Sequence, residues 1–141
     1  MRADLESAKN ILAEGNYTCV ICRRDEIYTD TQRGVKPLMD LLDHGVRISG
    51  FCAADKVIGK ATAFLYVLLG VVAVYTPVIS TSAKEVLENN GIEVEYGVEV
   101  EAIKNRTNTG FCPMETAVKD ISRPHIALAA IREKLAQLNS K

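Results

Sequence analysis

The sequence predicts an α/β fold, a three-layer α/β/α sandwich around a mixed sheet, on three observations. Val71 to Ile79 is a continuous apolar run, the pattern of a strand covered on both faces. Helix-like and strand-like segments alternate around it, as parallel crossovers require. Upstream, Tyr17 to Thr29 reads as a hairpin, and its antiparallel pair makes the sheet mixed.

The elements follow in order. Leu5, Ala8, Ile11 and Leu12 recur at helical spacing, and Gly15 stands where a helix stops. Tyr17 to Cys22 is an apolar strand, Arg23 to Asp25 a polar turn, and Glu26 to Thr29 the return strand. Pro37 opens a short helix ending at His44 and Gly45. Val46 to Phe51 reads as extended. A long helix is expected from about Ala54 to Leu69, stopped by Gly70 and followed by the central strand. Ser82 and Glu85 have capping-box spacing for a helix ending at Asn90-Gly91. Ile92 to Tyr96 alternates like a strand, whereas Val98 to Ile103 is readable either as a further short strand or as irregular chain. A helix from Cys112 to about Ile121 precedes a last one, in which Leu128, Ile131, Leu135 and Leu138 step by three and four.

The 141 residues make one domain's worth of chain, 1–141, and 48% are apolar, enough for a core. With 17 Lys plus Arg against 18 Asp plus Glu, no basic stripe calls for a nucleic-acid polymer. Four irregularly spaced cysteines do not make a disulfide framework, so a reducing cytoplasm is the expected location. The start, MRADLESAKNIL, is charged and amphipathic, unlike a signal peptide. The apolar stretch Ala61 to Ile79 is broken by Gly70 and Pro77, which argues for a buried helix and strand rather than a membrane span.

Two segments carry candidate chemistry. In NRTNTGFCPMETAV, Asn105 to Val118, a turn-rich loop leads into Cys112 and then Pro113, a residue suited to a first helical turn. Glu115 follows where a carboxylate favours a helix N-terminus. A thiol placed there has a lowered pKa; equally, Cys112 reads as a small buried plug of the cap. Arg106 in the same loop is suited to bidentate anion binding or to bonding loop carbonyls. In FCAADKVIGKATA, Phe51 to Ala63, Lys56 and Lys60 are four apart, on one face of the expected helix and near its positive end. Two cations there point to a nearby anion, or else they are simply solvated, with Asp55 beside them.

Together DKVIGKA and NRTNTGFCPMETAV resemble the prokaryotic family of domain of unknown function 1893, over nearly the whole chain. The resemblance implies a cytidine-deaminase-like fold, and association into a homodimer or larger assembly. The last helix offers a 3–4 stripe for such a seam. A zinc deaminase needs His or Cys two residues before a Glu on one helix and Pro-Cys-x-x-Cys on the next. This chain offers Ala53, Ala54, Asp55 and Lys56, then Ser80, Thr81, Ser82, Ala83 and Lys84. Zinc deamination is therefore not expected, and neither metal nor other cofactor is assigned. What the resemblance leaves is a pocket between two helix N-termini, with Ser80, Thr81 and Ser82 adding donors for an anion.

Cys19 and Cys22, three apart on a strand, point to opposite faces and cannot share a metal. His44 suits a helix C-terminus and His125 a first turn. Three functions follow. The first is an enzyme with Cys112 as nucleophile, Asp55 as base or orienting group, and Lys56, Lys60, Arg106, Ser80, Thr81, Ser82 and Glu115 around a small anionic, nucleotide-like or phosphorylated substrate. The second is a binding module for such an anion without turnover. The third is a thiol sensor in which Cys52 resolves oxidised Cys112.

Overall fold

A computed structural model describes residues 2–32, 34–103 and 112–139. The order of elements is α1 (Arg2–Glu14), β1 (Cys19–Arg23), β2 (Glu26–Asp30), α2 (Lys36–Asp43), β3 (Cys52–Asp55), β4 (Val57–Ile58), α3 (Lys60–Leu69), β5 (Ala73–Ser80), α4 (Thr81–Asn89), β6 (Glu93–Val100), α5 (Pro113–Val118) and α6 (Pro124–Asn139). The sheet is mixed. β2 and β1 pair antiparallel, β1 and β3 likewise, and β5 runs parallel to β3, β4 and β6. β3 and β4 lie along one side of β5 and β6 along the other, so β5 is central.

Two unequal helix layers cover this sheet, completing the α/β/α sandwich. On one face α1 buries Leu5, Ala8 and Leu12 against Val20, Cys22, Cys52, Ala54 and Ala73. On the other, Ile21, Ala53, Ile58, Val74 and Ile79 join Leu38 of α2, Phe64 and Leu65 of α3, Leu87 of α4, Val118 of α5 and Ile131 of α6. The α6 stripe is largely spent on this core. Ile131 is buried, Leu128 and Leu135 are half-buried, and only Leu138 stands exposed. Among the described residues, no helix is long and apolar enough to cross a membrane.

Several expected elements are corrected. The helix expected from Ala54 begins at Lys60, and Cys52–Ile58 is extended instead. A four-residue strand of small residues buried on both faces shows no alternation, and its alanines favour helix locally. Val46 to Phe51 is not a strand; it turns at Ser49-Gly50, although Ile48 and Phe51 are buried. The N-cap of α4 is Ser80, whose Oγ accepts the Ala83 amide at 3.2 Å, rather than Ser82. β6 is one strand through Gly97, where a Cβ would lie 2.6 Å from the Pro77 carbonyl.

The strands contain an irregularity that shapes the site. Ala53 and Ile58 both face the larger core, as do Val74 and Ile79 beside them. Each pair is five residues apart, an odd step that no regular strand allows. Both strands therefore change face at one level, near Asp55-Lys56 and Thr76-Pro77. Pro77 donates nothing to a ladder, and Thr76 Oγ1 bonds the Val78 carbonyl at 2.9 Å within this break. Beyond it, Val57, Val78 and Val98 stand in lateral register on the side away from the larger core. Cover of β5 is thus incomplete, with Pro77 exposed and Val78 half-buried.

Candidate functional site

The start of α3 is closed by the protein itself. Gly59 is its N-cap and supplies no side-chain oxygen. Instead the amides of Lys60 and Ala61 donate to the two carboxylate oxygens of Glu115, at 2.8 and 3.0 Å. A Cβ on residue 59 would lie 2.6 Å from that carboxyl group, so glycine admits it. The exchange is reciprocal, because Lys60 Nζ donates to the Lys119 carbonyl, at the end of α5, at 2.8 Å. Each helix end thus receives a side chain of suitable charge from the other.

The start of α4 is similarly engaged. Ser80 is buried in its capping bond. Thr81 Oγ1 donates to Glu99 at 2.8 Å, and Lys84 Nζ lies 3.5 Å from the same carboxylate. Ser82 Oγ is 3.4 Å from Ser80 Oγ. Lys56 is not on a helix at all. It sits exposed between β3 and β4, with its amide donating to the Thr18 carbonyl at 3.0 Å. The helix face shared with Lys60 therefore does not exist, and Lys60, Ser80 and Thr81 already bond protein partners.

Cys112 is the N-cap of α5, followed by Pro113 in the first turn, as the spacing predicts. Its amide donates to the Ile103 carbonyl at 3.1 Å and its carbonyl accepts the Thr116 amide at 3.1 Å. The thiol makes no capping bond and packs half-buried against the larger core. Arg106 lies outside the described residues. Cys52 packs under α1, on the face of the sheet opposite Cys112, which separates the two sulfurs.

Asp55 is the unusual titratable group. It ends β3 at the level of the break, and Tyr66 of α3 donates its phenol to Oδ2 at 2.7 Å. Cys19 Sγ lies 3.3 Å from the same phenol oxygen. Because the phenol proton is given to Asp55, the thiol is the donor in that second contact. Burial lifts the Asp55 carboxyl from 3.8 to about 7, against the opposing pull of the Tyr66 bond and the Val57 and Lys56 amides. Burial likewise pushes the Cys19 thiol and the Tyr66 phenol well up. Tyr66 was not singled out by its pattern, although one phenol in the buried helix KATAFLYVLL must find a partner.

The Cys19 end of this chain borders a cavity of about 350 Å³ between the β1–β2 hairpin and α2. Ile21, Tyr28, Leu41 and Val46 give it apolar walls, and Asp30, Asp40 and His44 supply polar groups. Gln32 Nε2 bridges Asp30 and Asp40, at 3.2 and 3.0 Å. Lys36 bonds Asp40 at 2.7 Å and holds its carboxyl below the usual range. His44 caps α2 through the Asp40 carbonyl at 2.7 Å. Among the described residues no three His, Cys, Asp or Glu gather as a metal site. Cys19 and Cys22 face opposite cores.

Comparisons with known proteins give the fold and family. The family model described as Domain of unknown function (DUF1893) matches residues 7–135. A crystal structure of a DUF1893 family protein from Thermotoga maritima aligns with a TM-score of 0.85 at 22% identity, covering 97% of this chain and 91% of that one. The apo structure of a dCMP deaminase from the cyanophage S-TIM5 aligns with a TM-score of 0.44 at 17% identity, over 67% of this chain and 94% of that one. No curated protein matches.

Proposed function

This chain belongs to the DUF1893 family, and we propose that it is a small-ligand-binding module without turnover, its ligand seated between the β1–β2 hairpin and α2. The supporting observation is the cavity of about 350 Å³ with the Cys19–Tyr66–Asp55 hydrogen-bond chain running inward from its wall. Its volume and its apolar walls with a few polar groups fall in the range of small-molecule sites, and it stands about half open to solvent. Glu115, Ser80 and Glu99 meanwhile satisfy the helix starts where an anionic substrate was expected.

The charge of the lining sets the ligand's sign. Asp30 and Asp40 border the cavity, Asp40 already paired with Lys36, and among the described residues no Lys or Arg lines it. A neutral or cationic molecule with an apolar body fits that wall better than the small anion read from the lysines. Benzylamine and benzoate, equal in shape and opposite in charge, test this by chemical-shift titration. Benzylamine should shift Tyr28, Leu41 and Val46 saturably in the millimolar range, about the strength that so small a body permits, and Leu41→Trp should remove the effect. Stronger binding of benzoate, or shifts unaffected by Leu41→Trp, would refute the assignment.

An enzymatic reading rests on Cys112, the one cysteine of the four that is not buried. The Asp55 hydrogen bonds run to Tyr66 and backbone amides, not to this thiol. No base is therefore paired with it among the described residues.

A further inference from the structure

We propose that Cys22 and Cys52 are a thiol-modification site, joined by a reversible disulfide when hydrogen peroxide reaches the space beneath α1. The two residues are direct Cα partners in the antiparallel pairing of β1 and β3. Partners in such a pair project to the same face, and here that face carries α1, with Cys22 beside Ala8 and Leu12 and Cys52 beside Leu5 and Ala73. Opposed Cα atoms in antiparallel strands lie about 4.5 or 5.5 Å apart. A disulfide spans about 4.4–6.8 Å. The Cα spacing falls inside that range, while the Cβ atoms, about 4.5–5.5 Å apart in such a pair, must close toward the roughly 3.5–4.5 Å that a disulfide needs.

The chemistry balances with peroxide alone. One thiolate attacks the O–O bond, becoming a sulfenic acid and releasing hydroxide. The second thiolate attacks that sulfur and expels a second hydroxide. The protons lost by the two thiols convert both hydroxides to water, so two thiols and one peroxide give one disulfide and two waters. Cys112 has no such partner, because Cys52 lies across the sheet from it.

Access sets the rate. Cys22 and Cys52 are 1% and 0% exposed, and burial pushes both thiols up, which keeps them neutral at rest. The cover is a single helix, seated by Leu5, Ala8 and Leu12 and by ion pairs from Arg2 to Glu93 and Lys9 to Glu95. Oxidation therefore waits for α1 to lift, a local opening rather than global unfolding.

The folded protein, treated with hydrogen peroxide and mapped by mass spectrometry without reduction, tests the site. The expected product is a Cys22–Cys52 cross-linked peptide pair, reversed by dithiothreitol and absent in Cys22→Ser and in Cys52→Ser. Leu5→Ala, which loosens the cover, should speed its formation roughly tenfold. A Cys52–Cys112 link, or oxidation of Cys22 to sulfinic acid with no cross-link, would overturn the proposal. So would a missing cross-link in Leu5→Ala protein whose α1 amides exchange freely.

Discussion

Replacing Glu115 removes the carboxylate that closes α3, and the loss is calculable. Two backbone amides donate to it, at 2.8 and 3.0 Å. Bonds to a charged group each contribute about 1.5–3 kcal/mol. The carboxyl is only half-buried, so water recovers part of this in the variant and screens the charge. For Glu115→Ala we expect a loss of about 2–3 kcal/mol. At this chain length that lowers Tm by roughly 5–10 °C. Glu115→Gln keeps one amide oxygen as acceptor and should lose about half as much. Thermal and urea unfolding followed by circular dichroism measure both. Formate should partly restore Glu115→Ala by occupying the vacated donors, whereas chloride at equal ionic strength should not. A fall in Tm below about 2 °C for Glu115→Ala, or no difference between formate and chloride, would refute the capping account.

Two further outcomes follow. Asp55 titrates at about 7 when folded against 3.8 otherwise, so between these values the folded state holds a proton that the unfolded chain has lost. Stability should therefore fall as pH rises from about 4 to 7, by about 4 kcal/mol at most, and level off above. Urea midpoints against pH measure this, and Asp55→Asn should flatten the slope; an unchanged slope would clear Asp55. Cys112, half-buried while the other three cysteines are buried, should react with iodoacetamide before Cys19, Cys22 and Cys52 near neutral pH. Mass-mapped kinetics decide the order, and an unmodified Cys112 in the folded protein would leave it a packing residue.

The layers were legible in the sequence where local signals and tertiary demands agree. Gly15, Pro37, Gly70 and Asn90-Gly91 bound their helices as read, and the apolar run after Gly70 is the central strand. Reading failed at Cys52–Ile58, where alanines that favour helix locally are held extended by strands on both sides. That one error put Lys56 on a helix and invented its shared face with Lys60. Cys112 and Glu115 were placed correctly at the start of α5, but the destination of the Glu115 carboxylate was not visible. It caps a helix 55 residues away in sequence, and a long-range bond leaves no periodic trace. Cys19–Tyr66–Asp55 was hidden for the same reason, spanning two strands and a helix.

The change of face shared by β3–β4 and β5 also constrains how this chain can vary in length. Deleting Lys56 alone would restore even spacing along the first strand, while its neighbour kept the odd step between Val74 and Ile79. Ile58 would stay on the Ala53 face, but a four-residue step could no longer match the five residues from Val74 to Ile79, and the pairing to Val78 and Ile79 would slip. The interruption is therefore inherited as a unit. Single-residue insertions and deletions near Asp55 or Pro77 are tolerable only when both strands, and β6 through Gly97, change together.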